Sequence, residues 1–284
     1  MGAPRGPLAL ICGGGSIPLV VAEAVRRSGR RVVLFPLRGW ADPNAVEAFP
    51  HHWVHLGQLG RFFACARQEG CRDVVLIGTL LRPSIIDLRL DWTALRLLPR
   101  VLAMFRGGDD RLIGSAARIL EERGFRLLGA HEVAPEILVP SGPLATKRPS
   151  VRDQGDIDKA LAVIQALGPH DVGQAVVVAD GYVVAVEAAE GTDAMLARVA
   201  ELRRIGRLKT PAGVGVLVKA PKPGQDRRFD LPSIGPRTME GVAAAGLAGV
   251  AVMAGASIMA DPGAVAALAD ENSLFLIGVA GAGA

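Results

Sequence analysis

LALICGGGSIPLVVAEAVRRSG, residues 8–29, decides the fold class. A short apolar run ends in three glycines and a serine, and Pro18 then falls where the first turn of a helix tolerates it. The helical pattern runs on to Gly29. RVVLFPL (31–37), HHWVHLG (51–57) and DVVLIG (73–78) read as further strands, with GQLGRFFACARQEG (57–70) a helix between the last two. The stretch from Leu80 to Phe105 reads as helical in pieces. Gly107-Gly108-Asp109-Asp110 then leads into an amphipathic helix, and FRLLGA (125–130) reads as a strand. Strands alternating with helices imply a parallel sheet with right-handed crossovers. The first half is therefore expected to be a Rossmann-like α/β domain over residues 1–135.

Proline and glycine crowd residues 136–150, a linker by composition. Residues 151–284 read as a second, mixed α/β domain. DIDKALAVIQALG (156–168) is a helix opening on an acidic turn. QAVVVADGYVVAVEAAEG (174–191) is two strands turned at Asp180-Gly181. The helix that follows takes Thr192 as its N-cap. GVGVLVKA (213–220) is a strand feeding the loop KPGQDRRFDLPSIGPRT (222–238), whose prolines and glycines argue against regular structure. Helix, strand, helix and strand complete the chain.

Half of the 284 residues are apolar but only 4% are aromatic, which predicts a core of Val, Leu, Ile and Ala. The balance of 32 basic and 28 acidic residues, a net +4, suits an anionic small molecule or a lipid surface. No Lys/Arg run points to nucleic acid. Cys12, Cys65 and Cys71 have no metal-ligand spacing and read as reduced thiols of a cytosolic protein. With no leader pattern and no apolar run near about 18 residues, the expectation is a cytoplasmic protein, peripheral on a membrane at most.

Gly13, Gly14, Gly15 and Ser16 place free N–H groups at a helix start, a site for an anion or simply a tightly packed turn. No acidic residue closes RVVLFPL and no Gly-Lys-Ser/Thr follows the glycines, so neither a dinucleotide fingerprint nor a P-loop is present. Thr79, Arg82 and Ser84 fall beyond the carboxyl end of a strand, where α/β proteins gather ligands. Asp109 and Asp110 read as a helix cap, or as Mg²⁺ ligands. The five histidines lack metal spacing and read as structural or surface residues. The loop is different. Lys219, Lys222, Arg227, Arg228 and Arg237 supply positive charge, and Asp226 and Asp230 are spaced to face one cation. Pyrophosphate cleavage needs both features. A solvated surface loop is the plain alternative, and it stands beside that reading. Asp180, Glu187, Thr192 and Asp193 serve the hairpin and helix cap, or add to the same site.

ICGGGSIP, FRGGDDRLIG, DGYVVAVEAAEGTDAML and VKAPKPGQDRRFDLPSIGPRT follow one another, from Leu8 to about Val279, in a pattern that resembles the UDP-2,3-diacylglucosamine pyrophosphatases of the alphaproteobacterial LpxI type. The resemblance implies a two-domain cytoplasmic enzyme of lipid A biosynthesis. It implies Mg²⁺-dependent hydrolysis of UDP-2,3-diacylglucosamine to UMP and 2,3-diacylglucosamine 1-phosphate (lipid X), with water attacking the α-phosphorus. Asp226, after Gln225, matches the aspartate needed for turnover, as metal ligand or as the group that orients the water. It is expected to be buried beside Mg²⁺ and ionised. Asp230 is the second metal candidate. Lys222, Arg227 and Arg228 would engage the diphosphate, with substrate contacts at Gly13, Gly14, Gly15, Ser16, Thr79, Arg82, Thr192, Asp193 and Lys219. The expected partners are the substrate, the inner face of the inner membrane and a further copy of the chain; nucleic acid is not among them. The rival reading is a non-catalytic protein that binds a nucleotide or lipid phosphate.

Overall fold

The computed structural model describes residues 6–79, 89–97, 117–228 and 231–280. The chain forms two compact units, one of Met1–Ile137 with Asp226–Asp230, the other of Leu138–Gln225 with Leu231–Ala284.

The first unit carries a parallel sheet of order β2-β1-β3-β4, from β1 (Leu8–Cys12), β2 (Val32–Pro36), β3 (Asp73–Ile77) and β4 (Arg126–Leu127). The parallel α/β sheet read from the alternating pattern is the one observed. β1 and β2 are almost wholly buried, as apolar runs in a sheet covered on both faces must be. The predicted strand at 51–57 does not form. That segment touches the outer edge of β2 only at His51 and Val54. Leu34 donates to the Pro50 carbonyl and His52 to the Leu34 carbonyl, but the next donor along β2 would be Pro36, which has no N–H. One rung is lost there, and pairing resumes past it, with Val54 donating to the Pro36 carbonyl at 3.1 Å and Arg38 to the Val54 carbonyl at 2.9 Å.

The low aromatic content conceals a concentration. Phe35, Phe62, Phe63 and Phe125 meet in one cluster, with centroid separations of 4.8–5.7 Å. Burial pushes the Cys12 thiol up to about 12 against a small opposing effect of the Phe35 backbone. Burial likewise pushes Cys71 up to about 11, so both are neutral packing groups.

The second unit holds a six-stranded mixed sheet of order β5-β12-β10-β8-β6-β7. Its strands are β5 (Gly142–Pro143), β6 (Ala175–Ala179), β7 (Tyr182–Val186), β8 (Val216–Lys219), β10 (Gly249–Met253) and β12 (Phe275–Val279). A separate parallel pair joins β9 (Ser233–Ile234) to β11 (Ile258–Met259). Residues 136–150, a linker by composition, contribute β5 as an antiparallel edge, and Lys147 donates to the Ser273 carbonyl at 2.8 Å. The loop read as irregular over 222–238 ends in β9 and in a helix, Pro236–Ala244, with Pro236 in its first turn.

The helix expected from Asp156 begins five residues earlier, at Val151. Ser150 caps it, its hydroxyl accepting from the Asp153 backbone N–H while the Asp153 carboxylate accepts from the Ser150 N–H. Asp156 does other work. Only 1% exposed, its carboxylate accepts from the N–H groups of Asp180 and Gly181, at 2.9 and 2.6 Å. These two residues carry positive φ, as the tight β6–β7 turn requires. Asp156→Ala strips both buried N–H groups of their acceptor and is expected to cost about 2–3 kcal/mol. Urea denaturation checks this, with Asp180→Gly as the control that changes the turn but keeps the carboxylate.

Candidate active site

The triple-glycine turn leaves β1 and pairs with the loop that leaves β3. Gly14 and Thr79 exchange backbone hydrogen bonds of 2.8 Å in each direction, and Gly13 donates to the Ile77 carbonyl. A side chain at Gly13 would lie 2.7 Å from the Thr79 carbonyl oxygen, so the close approach of two backbones explains that glycine. The helix Ile17–Arg27 starts immediately after Ser16, whose side chain makes no capping bond. Gly15, Ser16 and Thr79 are exposed together beyond the carboxyl ends of β1 and β3. Arg82, Ser84, Asp109, Asp110 and Asp230 lie outside the described residues.

The charged loop divides. Lys222 and Gln225 close a turn of the second unit, with the Lys222 N–H donating to Gln225 Oε1 at 3.0 Å and the Gln225 N–H to the Lys222 carbonyl. The Lys222 ammonium pairs with Asp171, and Pro223 packs where Gly168 leaves room.

Asp226, Arg227 and Arg228 cluster with the first unit. Asp226 is not buried, contrary to expectation; its side chain is 43% exposed. Its charge is secured by a different route. Arg228 donates to it from its backbone N–H, from Nε and from Nη2 at 2.8–3.1 Å, and these bonds hold the carboxyl below its usual range against a smaller effect of burial. Nη1 of Arg228 reaches Glu121 at 3.1 Å. Arg228 is thus spent on positioning Asp226.

A residue that sequence reading set aside stands beside them. His131, in the short helix Ala130–Val133, is close enough to Asp226 and Arg227 to feel both charges. Burial, with Arg227 second, pushes its imidazole below the ordinary range. Its Nδ1 is buried with no hydrogen-bond partner among the described residues. Gly129 makes room for the ring, since a Cβ there would lie 2.4 Å from His131 Cε1. Nothing local in the sequence marks this histidine, because its neighbours come from a distant part of the chain.

In the second unit Thr192 is not the N-cap. Its hydroxyl donates to Glu187 Oε1 at 2.6 Å and accepts from the Lys219 ammonium at 2.9 Å. Glu187 and Lys219 are 8% and 7% exposed, and Lys219 also donates to the Ser233 carbonyl at 2.9 Å. Asp193 forms an exposed pair with Arg237 at 2.9 Å.

Among the described residues no three His, Cys, Asp or Glu side chains converge as a metal cage. Asp226 nevertheless fits Mg²⁺ as a single ligand. It is ionised and exposed, and three N–H groups fill three of about four acceptor positions on its carboxylate. Mg²⁺ commonly takes one or two carboxylates and draws its remaining oxygens from water and substrate phosphates.

Two family models match the chain, the LpxI N-terminal domain over residues 7–137 and the LpxI C-terminal domain over residues 140–277. The UDP-2,3-diacylglucosamine pyrophosphatase LpxI of Caulobacter vibrioides is 43% identical over 272 residues, covering 96% of this chain and 97% of the relative. With both halves matched and nearly the whole length aligned, the chain belongs to the LpxI family.

Proposed function

We propose that this family hydrolase cleaves UDP-2,3-diacylglucosamine to UMP and 2,3-diacylglucosamine 1-phosphate in lipid A biosynthesis, with Mg²⁺ as cofactor. The observation that carries the reading is the Asp226 carboxylate, exposed yet held ionised by Arg228. When bound, Mg²⁺ would neutralise charge on the diphosphate oxygens. Asp226 would use its one open acceptor position either to hold the cation or to accept a hydrogen bond from the attacking water. Arg228 fixes that carboxylate in place. Arg227, from the same loop, adds positive charge toward the diphosphate, and Lys222, paired with Asp171, is proposed as a further contact to it. Gly13, Gly14, Gly15, Ser16, Thr79 and Arg82 are proposed for the nucleotide end. Asp230 is proposed as a second metal ligand, and Thr192, Asp193 and Lys219 as substrate contacts through the motif they share.

Water oxygen bonds to the α-phosphorus as the bond from that phosphorus to the bridging oxygen breaks. The 1-phosphate of lipid X then departs with the bridging oxygen. A diacylated substrate places the reaction at the cytoplasmic face of the inner membrane, with the protein acting peripherally. Among the described residues no helix is long and apolar enough to cross a membrane.

Hydrolysis in ¹⁸O-water tests the reading. The label is expected in UMP, and EDTA is expected to stop release until Mg²⁺ is restored. Label in lipid X would overturn the α-attack, and UMP release indifferent to EDTA would overturn the metal. Tight binding without hydrolysis would favour the phosphate-binding reading.

A further inference from the structure

At the amino ends of β1, β3 and β4 the first unit has a cleft of about 480 Å³, lined by Arg30, Arg72, Asp73 and Arg126 with Gly70 and Gly124 in its wall. A five-residue strand spans about 15 Å, so this cleft is separate from the triple-glycine turn at the other end of β1.

Its charges are built in. Asp73 is 6% exposed. Burial alone would raise its pKa, but hydrogen bonds from Arg126 and Arg30 prevail and hold the carboxyl below its usual range. Arg126 donates from Nε and Nη2 at 2.8 Å, and Arg30 donates from Nη2 at 2.5 Å and from Nε to the Gly6 carbonyl at 2.9 Å. Both guanidinium groups are therefore locked, each with Nη1 left over. Arg72 is exposed, and its side chain has no hydrogen-bond or ion-pair partner among the described residues. Three guanidinium groups against one carboxylate leave an excess of two positive charges in a concave site. Helix C-termini nearby favour cations and account for part of this placement. They do not account for a third arginine beside an acid already satisfied by two.

We propose that this cleft recognises a phosphate group. Guanidinium forks match phosphate oxygens in pairs, and side chains locked in advance lose little freedom on binding. The phosphate is either the diester of an anionic phospholipid headgroup or a free phosphate in solution. Outside the cleft, Arg67 and Arg123 lie over the rings of Phe125 and Phe63, which extends the basic surface of this unit. The inference does not depend on the proposed hydrolysis.

The test uses the full chain, Arg72→Glu and Arg72→Lys. One arm titrates inorganic phosphate by calorimetry. The other co-sediments the protein with phosphatidylcholine vesicles, with and without phosphatidylglycerol. Binding is expected in at least one arm, about tenfold or more weaker in Arg72→Glu, largely kept in Arg72→Lys, and reduced by salt. Binding in the first arm alone identifies a soluble phosphate, and binding in the second alone a lipid headgroup; either supports the site. Wild-type protein that binds in neither arm overturns it, as does an Arg72→Glu protein that binds as well as wild type. Thermal melting checks that both variants keep their fold, which an exposed side chain permits.

Discussion

Asp226→Ala is expected to lower UMP release from UDP-2,3-diacylglucosamine by about 10²–10⁴-fold, the range for loss of a group that activates or orients the attacking water. Folding should survive. Asp226 is exposed and its partner Arg228 is half-exposed, so breaking their pair is worth about 1 kcal/mol or less. Arg228 also keeps its contact with Glu121. Asp226→Asn sharpens the test, because an amide keeps the shape and one oxygen acceptor for Arg228 while losing the charge. Activity lost equally in both variants, with melting temperatures unchanged, assigns the effect to charge. An Asn variant close to wild type would sink the metal-holding role.

The second large effect belongs to stability. Lys219→Met keeps the length of the side chain but removes the donor that serves Thr192 and Ser233. It also leaves Glu187 buried at the far end of the relay, where Thr192 and the Gln174 N–H remain its donors. Removing one end of a buried charge pair costs about 3–5 kcal/mol. For a chain of this size that is roughly 10 °C in melting temperature by calorimetry. Adding Glu187→Gln to Lys219→Met should recover part of the loss, because a neutral amide needs no cation. If the two single losses simply add, Thr192 does not couple Lys219 to Glu187, and the relay is only a set of neighbours.

Apolar runs such as LALIC, AVVVA and FLIGV are strands because burial selects them, and burial leaves its mark on local composition. The Asp180-Gly181 turn was legible for a similar local reason, since only certain residues accept its backbone angles. What escaped depended on partners distant in sequence. The strand at 51–57 is reduced to two isolated bridges because Pro36 on its neighbour removes the rung between them. β9 and β11 are two residues each and have no pattern long enough to read. Ser150 and Asp153 cap their helix from within a polar stretch where no periodicity points to the start. In the candidate site, the motif singled out Asp226 but gave nothing of its surroundings. Its charge comes from the adjacent Arg228, and its neighbour His131 follows only from the fold. Lys219, read as part of the site's positive charge and as a substrate contact, is almost wholly buried, because a lysine on a strand end looks the same in sequence whether it faces water or a half-buried threonine.

The short segment Asp226–Asp230 has a consequence for how the protein is made. It belongs with the first unit, although the chain has already run through most of the second by then. Synthesis therefore delivers Arg228, the partner of Glu121, roughly ninety residues after Ile137 has been added. At about 5–20 residues per second, the nascent first unit waits several seconds or more for its last piece. A gene cut after residue 137 would produce a first unit that never receives it, so the two halves of this chain are not interchangeable cassettes.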